Sequence, residues 1–227
     1  MIKVVFNHIE GFGKITQLDF IYSDPKGINL KEEYLDYLEE GWVEWQNYWY
    51  NLRSTRILIK DYSPTKTTKK LSKRVNLTYT VLTPQQLKVL NPIYKKYVKV
   101  KEFTRDISLK DFEDFSAIFY WDQEELIGAS IYKLYNQEGK SALVVYQFLW
   151  DYQDPKLSLG NVAQYFEIKL AQSKGCDYVY LMGGYEESCI YKSQFKGFQW
   201  WTGKEWSEDI NLYQELCQRD TNVYIRT

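Results

Sequence analysis

The most regular pattern in the chain lies in its second half. Three stretches rich in β-branched and aromatic residues follow one another there: Phe115 to Trp121, Glu125 to Tyr135 and Lys140 to Trp150. The polar turns Trp121-Asp122-Gln123-Glu124 and Asn136-Gln137-Glu138-Gly139 separate them, which predicts an antiparallel meander. The last stretch is almost continuously apolar from Ala142 to Trp150, as expected of a central strand covered on both faces. A loop from Asp151 to Leu157 leads into a predicted helix from about Ser158 to Lys174, with Val162, Tyr165, Phe166 and Leu170 at helical spacing. After Gly175 comes a buried strand, Tyr178 to Met182. Strand, helix and strand with short loops make a right-handed crossover beside the meander, so the sheet is expected to be mixed.

The first half is less periodic. Strands are predicted at Lys3 to Phe6 and Ile15 to Tyr22, with turn signals at Glu10-Gly11-Phe12-Gly13 and Asp24-Pro25-Lys26-Gly27. A helix is expected from Leu30 to Glu40, closed by Gly41. The aromatic run Trp42 to Tyr50, a strand at Ile57 to Lys60 and the basic stretch Pro64 to Arg74 follow. Leu77 to Leu82 reads as a strand, and Thr83-Pro84 as a helix start by cap and first-turn proline. The expected organisation is an aromatic and basic N-terminal part over 1–80 and a core over 81–227, within one compact unit.

Composition adds limits. With 227 residues, 44% of them hydrophobic and 26% charged, the chain reads as a soluble globule. It carries no apolar run of membrane-spanning length and no apolar leader core at its N-terminus, so a cytosolic protein without a membrane partner is expected. Three widely spaced cysteines, Cys176, Cys189 and Cys217, include no CxxC pair and support neither a disulfide framework nor a thiolate metal site. The single histidine, His8, is expected to be solvated, which leaves histidine-based metal or triad chemistry without its ligands. Net charge is −1, yet Arg53 to Lys101 holds thirteen basic residues against one acid, leaving −13 for the remainder. Such polarity is the footprint of a phosphate-binding face; a solvated helical surface is the alternative.

The order meander, crossover helix, parallel strand resembles the core of the GNAT acyltransferase fold. The expected class is therefore α+β, a GNAT-like mixed sheet with an antiparallel meander, one βαβ crossover and helices on both faces. Ligands gather where strand ends meet helix N-termini, here Asp151 to Gly160. A more specific resemblance is carried by Phe148-Leu149-Trp150-Asp151, Ser158-Leu159-Gly160, Tyr178-Val179-Tyr180-Leu181-Met182-Gly183, Glu187-Ser188-Cys189 and Tyr191-Lys192-Ser193-Gln194-Phe195-Lys196. Upstream, Gly41-Trp42, Tyr48-Trp49-Tyr50 and Ser63 to Lys70 add to it in the same order. Together these resemble the arginyl-tRNA-protein and bacterial leucyl-tRNA-protein transferases over about residues 33 to 206. The departures are definite. The family's cysteine cluster is replaced by Asn51-Leu52-Arg53-Ser54-Thr55-Arg56, the proline after its aspartate by Tyr152, and its Cys-Pro-Lys-Met run is shortened at Cys189-Ile190-Tyr191-Lys192.

The resemblance implies aminolysis: an N-terminal amine attacks the ester joining an amino acid, arginine or leucine, to tRNA. Such chemistry needs alignment, a proton acceptor and oxyanion donors, and neither a covalent nucleophile nor a cofactor. It implies a catalytic set of Asp151, Ser158 and Gly160, with Asp151 orienting the amine or binding the aminoacyl ammonium, and Tyr185 in the same cleft. Helix or turn capping is the alternative for Asp151 and Ser158. The aminoacyl group would meet Tyr185, Glu186, Glu187 and Gln147, the two glutamates serving a cationic side chain or simply a solvated loop. Arg53, Arg56 and Lys192 would read an acidic acceptor N-terminus, with contact to tRNA phosphate or solvent as the alternative. Lys66, Lys69, Lys70, Lys73, Arg74, Lys95 and Lys96 would hold tRNA phosphates, and the aromatic run Trp42, Trp45, Tyr48, Trp49, Tyr50 would stack on its 3′ end or pack in the core. Aminoacyl-tRNA and a protein or peptide N-terminus are the expected partners of a monomer. Two other readings stand beside this one. An acyl-CoA acetyltransferase would want a glycine-rich pyrophosphate loop where Leu157-Ser158-Leu159-Gly160-Asn161-Val162 stands, and an RNA-binding module would leave the Asp151 to Gly160 register unexplained.

Overall fold

The computed structural model describes residues 2–7, 17–22, 34–45, 48–51, 53–101, 108–137, 139–151, 154–184 and 187–224. His8, the turns at 10–13 and 24–27, the expected helix start at Leu30, Tyr152, Tyr185 and Glu186 lie outside them. In chain order, β1 (Ile2–Asn7), β2 (Gln17–Tyr22), α1 (Tyr34–Glu39), β3 (Trp42–Trp45) and β4 (Tyr48–Asn51) come first. Next are β5 (Ser54–Leu58), α2 (Lys66–Ser72), β6 (Asn76–Val81) and α3 (Pro84–Lys101). Then follow β7 (Ser116–Asp122), β8 (Glu125–Gln137), β9 (Lys140–Trp150), α4 (Leu159–Ser173), β10 (Tyr178–Gly183), β11 (Phe198–Trp201), β12 (Trp206–Ser207) and α5 (Ile210–Tyr224).

The fold is α+β, with the mixed sheet, antiparallel meander and single crossover that the sequence predicts. Eight strands form one mixed sheet in the order β12-β11-β5-β10-β9-β8-β7-β6, and β1-β2-β4-β3 form a four-stranded antiparallel one. The meander β7-β8-β9 is antiparallel as its alternation predicts, and α4 returns the chain so that β10 runs parallel to β9. Both faces of β9 are covered. Leu143 and Val145 face the cluster built with Val162, Ala163 and Ile168 of α4, while Ala142, Val144 and Tyr146 face Leu35 and Leu38 of α1 and Leu87, Leu90 and Ile93 of α3. Each fully buried aliphatic side chain in these layers contributes roughly 1.5–3 kcal/mol.

The first half departs from expectation in two places. The strand expected at 57–60 runs instead from Ser54, and Ile59–Asp61 turn into a 3-10 helix. Ser54, Thr55 and Arg56 look too polar for a central strand, but each finds a partner distant in sequence: Ser54 Oγ donates to the Gly41 carbonyl at 2.7 Å, Thr55 Oγ1 to that of Met182 at 2.8 Å and Arg56 Nε to Gln199 Oε1 at 2.8 Å. The basic stretch after Pro64 forms α2, started by Thr65, whose hydroxyl accepts from the Thr68 amide. β5 and β6, drawn from residues 1–80, belong to the same sheet as the later strands. Gly41 ends α1 at φ +78°, and a β-carbon there would lie 2.3 Å from the Trp201 ring.

Candidate active site

The central feature is a place where two parallel strands part. β10 pairs with β9 only from Tyr178 opposite Ala142 to Tyr180 opposite Val144. Just beyond, Tyr146 is an extra residue in β9, because the register against β8 jumps from Ile131–Gln147 to Tyr132–Val145. On the other strand, Met182 sits in the left-handed region at φ +59°. A cavity of about 520 Å³ opens between the strands, walled by α4 and the 3-10 segment Glu187–Gln194. Lys192 of that segment donates to the carbonyls of Leu181 at 2.7 Å and Gly183 at 2.8 Å. Carbonyls alternate along a strand, so these two face the edge that β9 has left, and the ammonium takes the place of the missing strand.

One stripe of α4 lines the cavity: Gly160, Gln164 and Glu167, at the i, i+4, i+7 spacing of a single helix face. Gly160 is half-buried, whereas Gln164 is 2% exposed and Glu167 3%, so the stripe descends from rim to floor. Glu167 accepts a short hydrogen bond from Ser130 Oγ, which is itself 2.7 Å from the Tyr120 hydroxyl. Burial pushes the Glu167 carboxyl up to about 7, against the Ser130 hydrogen bond and the Lys192 charge, which both favour the ionised form. Gln164 has both ends of its amide buried without a hydrogen-bond partner. Leaving such a group unsatisfied costs roughly 1–3 kcal/mol for each atom, which is tolerated where a ligand completes it. At the rim, Ser158 holds φ +51° and gives the helix no side-chain cap. The backbone bonding of α4 begins at Asn161, so the amides of Leu159 and Gly160 remain outside the helix's own ladder.

Asp151 does not join this cavity. It lies at the end of β9, with its amide bonded to the Ile127 carbonyl, and lines a smaller cavity of about 240 Å³ with Asp122, Glu125, Asp154 and Leu159. Trp150 forms part of both walls, so the expectation of one cleft holding Asp151, Ser158 and Gly160 is corrected to two neighbouring cavities. The physical reason is strand alternation: Trp150 and Asp151 leave β9 on opposite sides. Lys96 Nζ is 4.0 Å from the buried Asp151 carboxylate, and Arg74 bridges Asp122 at 3.4 Å and Asp154 at 3.0 Å.

The remaining expected residues divide clearly. Gln147 lines the larger cavity and donates to the Tyr97 hydroxyl at 3.1 Å. Glu187 is exposed and lines neither cavity, and Tyr185 and Glu186 lie outside the described residues. Arg53 and Arg56, expected to read an acceptor, lie inside the protein rather than on its surface. Arg53 is fully buried and bonded to the Gly184 carbonyl, and Arg56 is clasped between Tyr178 and Trp206 with ring centroids at 4.1 and 3.9 Å, its Nε donating to Gln199. Both charges are spent inside the protein, where stacking and hydrogen bonds offset their desolvation. Lys66, Lys69, Lys70, Lys73, Arg74, Lys95 and Lys96 are exposed, but not on one face. α2 packs on α4 and α3 on the opposite side of the sheet; only Arg74 and Lys96 converge, at the rim of the smaller cavity. Of the aromatic run, Trp42 is buried in the core, and Trp45, Tyr48, Trp49 and Tyr50 belong to β3 and β4 of the four-stranded sheet.

Glu167 and Gln164 were not singled out from the sequence. The signal that existed is their spacing with Gly160 and Ala171, a second inward-facing stripe interleaved with the apolar one.

Among the described residues, no group of His, Cys, Asp and Glu is arranged to hold a metal ion, and no helix is long and apolar enough to cross a membrane. No protein-family model matches the chain. The chain is 26% identical over 181 residues to the aspartate/glutamate leucyltransferase of Chromohalobacter salexigens, covering 71% of this chain and 70% of that protein. Among solved structures it is similar to the C-terminal domain of a lysylphosphatidylglycerol synthetase from Agrobacterium fabrum, at 9% identity and TM-score 0.48, over 62% of this chain and 49% of that one. An aminoglycoside acetyltransferase from a soil metagenome aligns at 13% identity and TM-score 0.34, over 47% of this chain and 76% of the other. The leucyltransferase likeness supports an enzyme of the acyltransferase type.

Proposed function

We propose that the protein is an aminoacyl-tRNA-protein transferase, which moves leucine from leucyl-tRNA to the N-terminal amine of an acceptor beginning with Asp or Glu. The observation that carries this reading is the cavity between the parted strands β9 and β10, whose α4 stripe offers backbone amides at the rim and uncommitted polar groups at the floor. The leucyltransferase likeness supports the choice of donor and acceptor. Val145, Phe148, Leu181 and Met182 on the walls suit an apolar aminoacyl side chain, so leucine rather than arginine is the favoured cargo.

In this reading the phosphate of the terminal nucleotide meets the Leu159 and Gly160 amides, and the aminoacyl ester points inward along α4. The acceptor ammonium gives one proton to the Asp151 carboxylate, the neutral amine attacks the ester carbonyl, the carbon–oxygen bond to the ribose breaks, and the proton lost by the attacking amine passes to the departing ribose oxygen. Asp151, across Trp150 from the donor, draws the acceptor's ammonium to the rim. Arg74, Lys96 and the lysines of α2 steer the tRNA by charge.

The test is incubation with radiolabelled leucyl-tRNA or arginyl-tRNA and peptides beginning with Asp, Glu, Arg or Ala. Label is expected in the Asp and Glu peptides from leucyl-tRNA, and only when the amine is unblocked. Acyl transfer from acetyl-CoA with none from any aminoacyl-tRNA overturns the proposal in favour of an acetyltransferase.

A further inference from the structure

The floor of the larger cavity contains more recognition chemistry than an apolar cargo requires. Gln164 presents a donor and an acceptor, both buried and neither used by the protein. One turn deeper, the Glu167 carboxylate is oriented by Ser130 and Tyr120 from behind, and it too lines the cavity. Seven residues separate Gly160 from Glu167, a rise of roughly 10 Å along the helix. That matches the reach of an aminoacyl nucleotide from its phosphate, through the ribose and ester, to its amino group. A carboxylate and a free amide at that depth suit a primary ammonium next to a carbonyl: the ammonium gives one hydrogen to Glu167 and a second to Gln164 Oε1, while Gln164 Nε2 donates to the carbonyl.

We propose that Glu167 and Gln164 form the receptor for the free α-ammonium group of the aminoacyl donor, so that the protein accepts an amino acid ester and rejects its N-acylated counterpart. The inference rests on the aminoacyl-transfer reading and adds to it which chemical group of the donor is read, and by which side chains. Acetylation of the donor amine removes the charge, leaving Glu167 buried beside an uncharged amide. Discrimination then comes from the cost of an unpaired buried group rather than from contact area.

Binding of leucyl-tRNA, N-acetylleucyl-tRNA and deacylated tRNA to the full chain tests this, with Glu167→Gln and Gln164→Leu as variants. The native protein is expected to prefer leucyl-tRNA over N-acetylleucyl-tRNA by about tenfold or more. Glu167→Gln, which keeps the shape and the bond from Ser130, is expected to bring the two close to equality while binding deacylated tRNA as before. Gln164→Leu is expected to weaken leucyl-tRNA alone. Indifference of the native protein to N-acetylation overturns the proposal even if the variants fail to fold, as does a folded Glu167→Gln protein that still prefers the free amine. A preference for N-acetylarginyl-tRNA over N-acetylleucyl-tRNA that Glu167→Gln abolishes assigns the carboxylate to a side chain instead, and also overturns it. If the native protein binds leucyl-tRNA no better than deacylated tRNA and transfers nothing, the aminoacyl-transfer reading itself has failed.

Discussion

Glu167 ties the site to stability in a way that can be measured without any substrate. Its carboxyl titrates near 7 in the folded protein against an ordinary 4.5, because burial penalises the charged form more than Ser130 and Lys192 favour it. A carboxyl with a raised folded pKa contributes stability that is complete below 4.5 and is lost as pH rises through 7. The gap of about 2.5 units corresponds to roughly 3.4 kcal/mol at 1.36 kcal/mol per unit, of which about 0.8 kcal/mol is already spent at pH 5. Between pH 5 and pH 8 the native protein should therefore lose about 2.5 kcal/mol through this one group. Tyr120, whose phenol burial holds well above 10, stays neutral over that range. Glu167→Gln removes the titration while keeping an acceptor for Ser130, so the variant gains on the native protein as pH rises. Urea denaturation of both proteins at pH 5 and pH 8 reads the effect as a change of roughly 1 M in the difference between their midpoints. A difference that stays constant to within about 0.5 kcal/mol across the two pH values shows that Glu167 is not buried as an unneutralised acid, and the argument falls.

Three other outcomes follow. Asp151→Asn should lower transfer to peptides by about a hundredfold while leaving tRNA binding nearly intact; unchanged steady-state turnover would remove Asp151 from the reaction. Reversing Lys69, Lys70 and Lys73 together should weaken binding to every tRNA alike and reduce the slope of log affinity against log salt by up to about 3, read from a salt titration. Gly41→Ala should lower the melting temperature by about 5–10 °C, since it combines a left-handed penalty of about 1–2 kcal/mol with displacement of the Trp201 ring.

What the sequence made legible was what depends on local periodicity. The meander, the crossover helix, the parallel strand and the helix start at Thr83-Pro84 all rest on short-range signals and appear in the structure close to their expected bounds. β5 was misread because Ser54, Thr55 and Arg56 are polar, and nothing local announces that Gly41, Met182 and the rings of Tyr178 and Trp206 will satisfy them. The same polarity makes Arg53 and Arg56 read as groups available to an acceptor. Asp151 and Gly160 line neighbouring cavities at one end of β9, but which side of β9 each residue faces depends on the bulge at Tyr146, and a bulge of one residue has no signature in a single sequence. Glu167 and Gln164 were hidden by being polar on a helix whose apolar stripe was sufficient to explain it.

The insertion of β5 between β10 and β11 has a consequence for how the chain is made. Its neighbours, Tyr178–Gly183 and Phe198–Trp201, lie well over a hundred residues further on, so the sheet cannot close around β5 until nearly the whole chain has been synthesised. At 5–20 residues per second, the strand waits roughly 6–25 s after its own synthesis before its first partner exists. During that interval a stretch with unsatisfied backbone on both edges, two arginines and a neighbouring basic helix is held in the nascent protein. Late, long-range closure of this kind raises contact order and slows folding. It also means that the walls of the larger cavity, β10 and the segment carrying Lys192, are among the last parts to arrive, so a prematurely terminated chain ending before Tyr178 holds the meander and α4 but lacks the site's second wall.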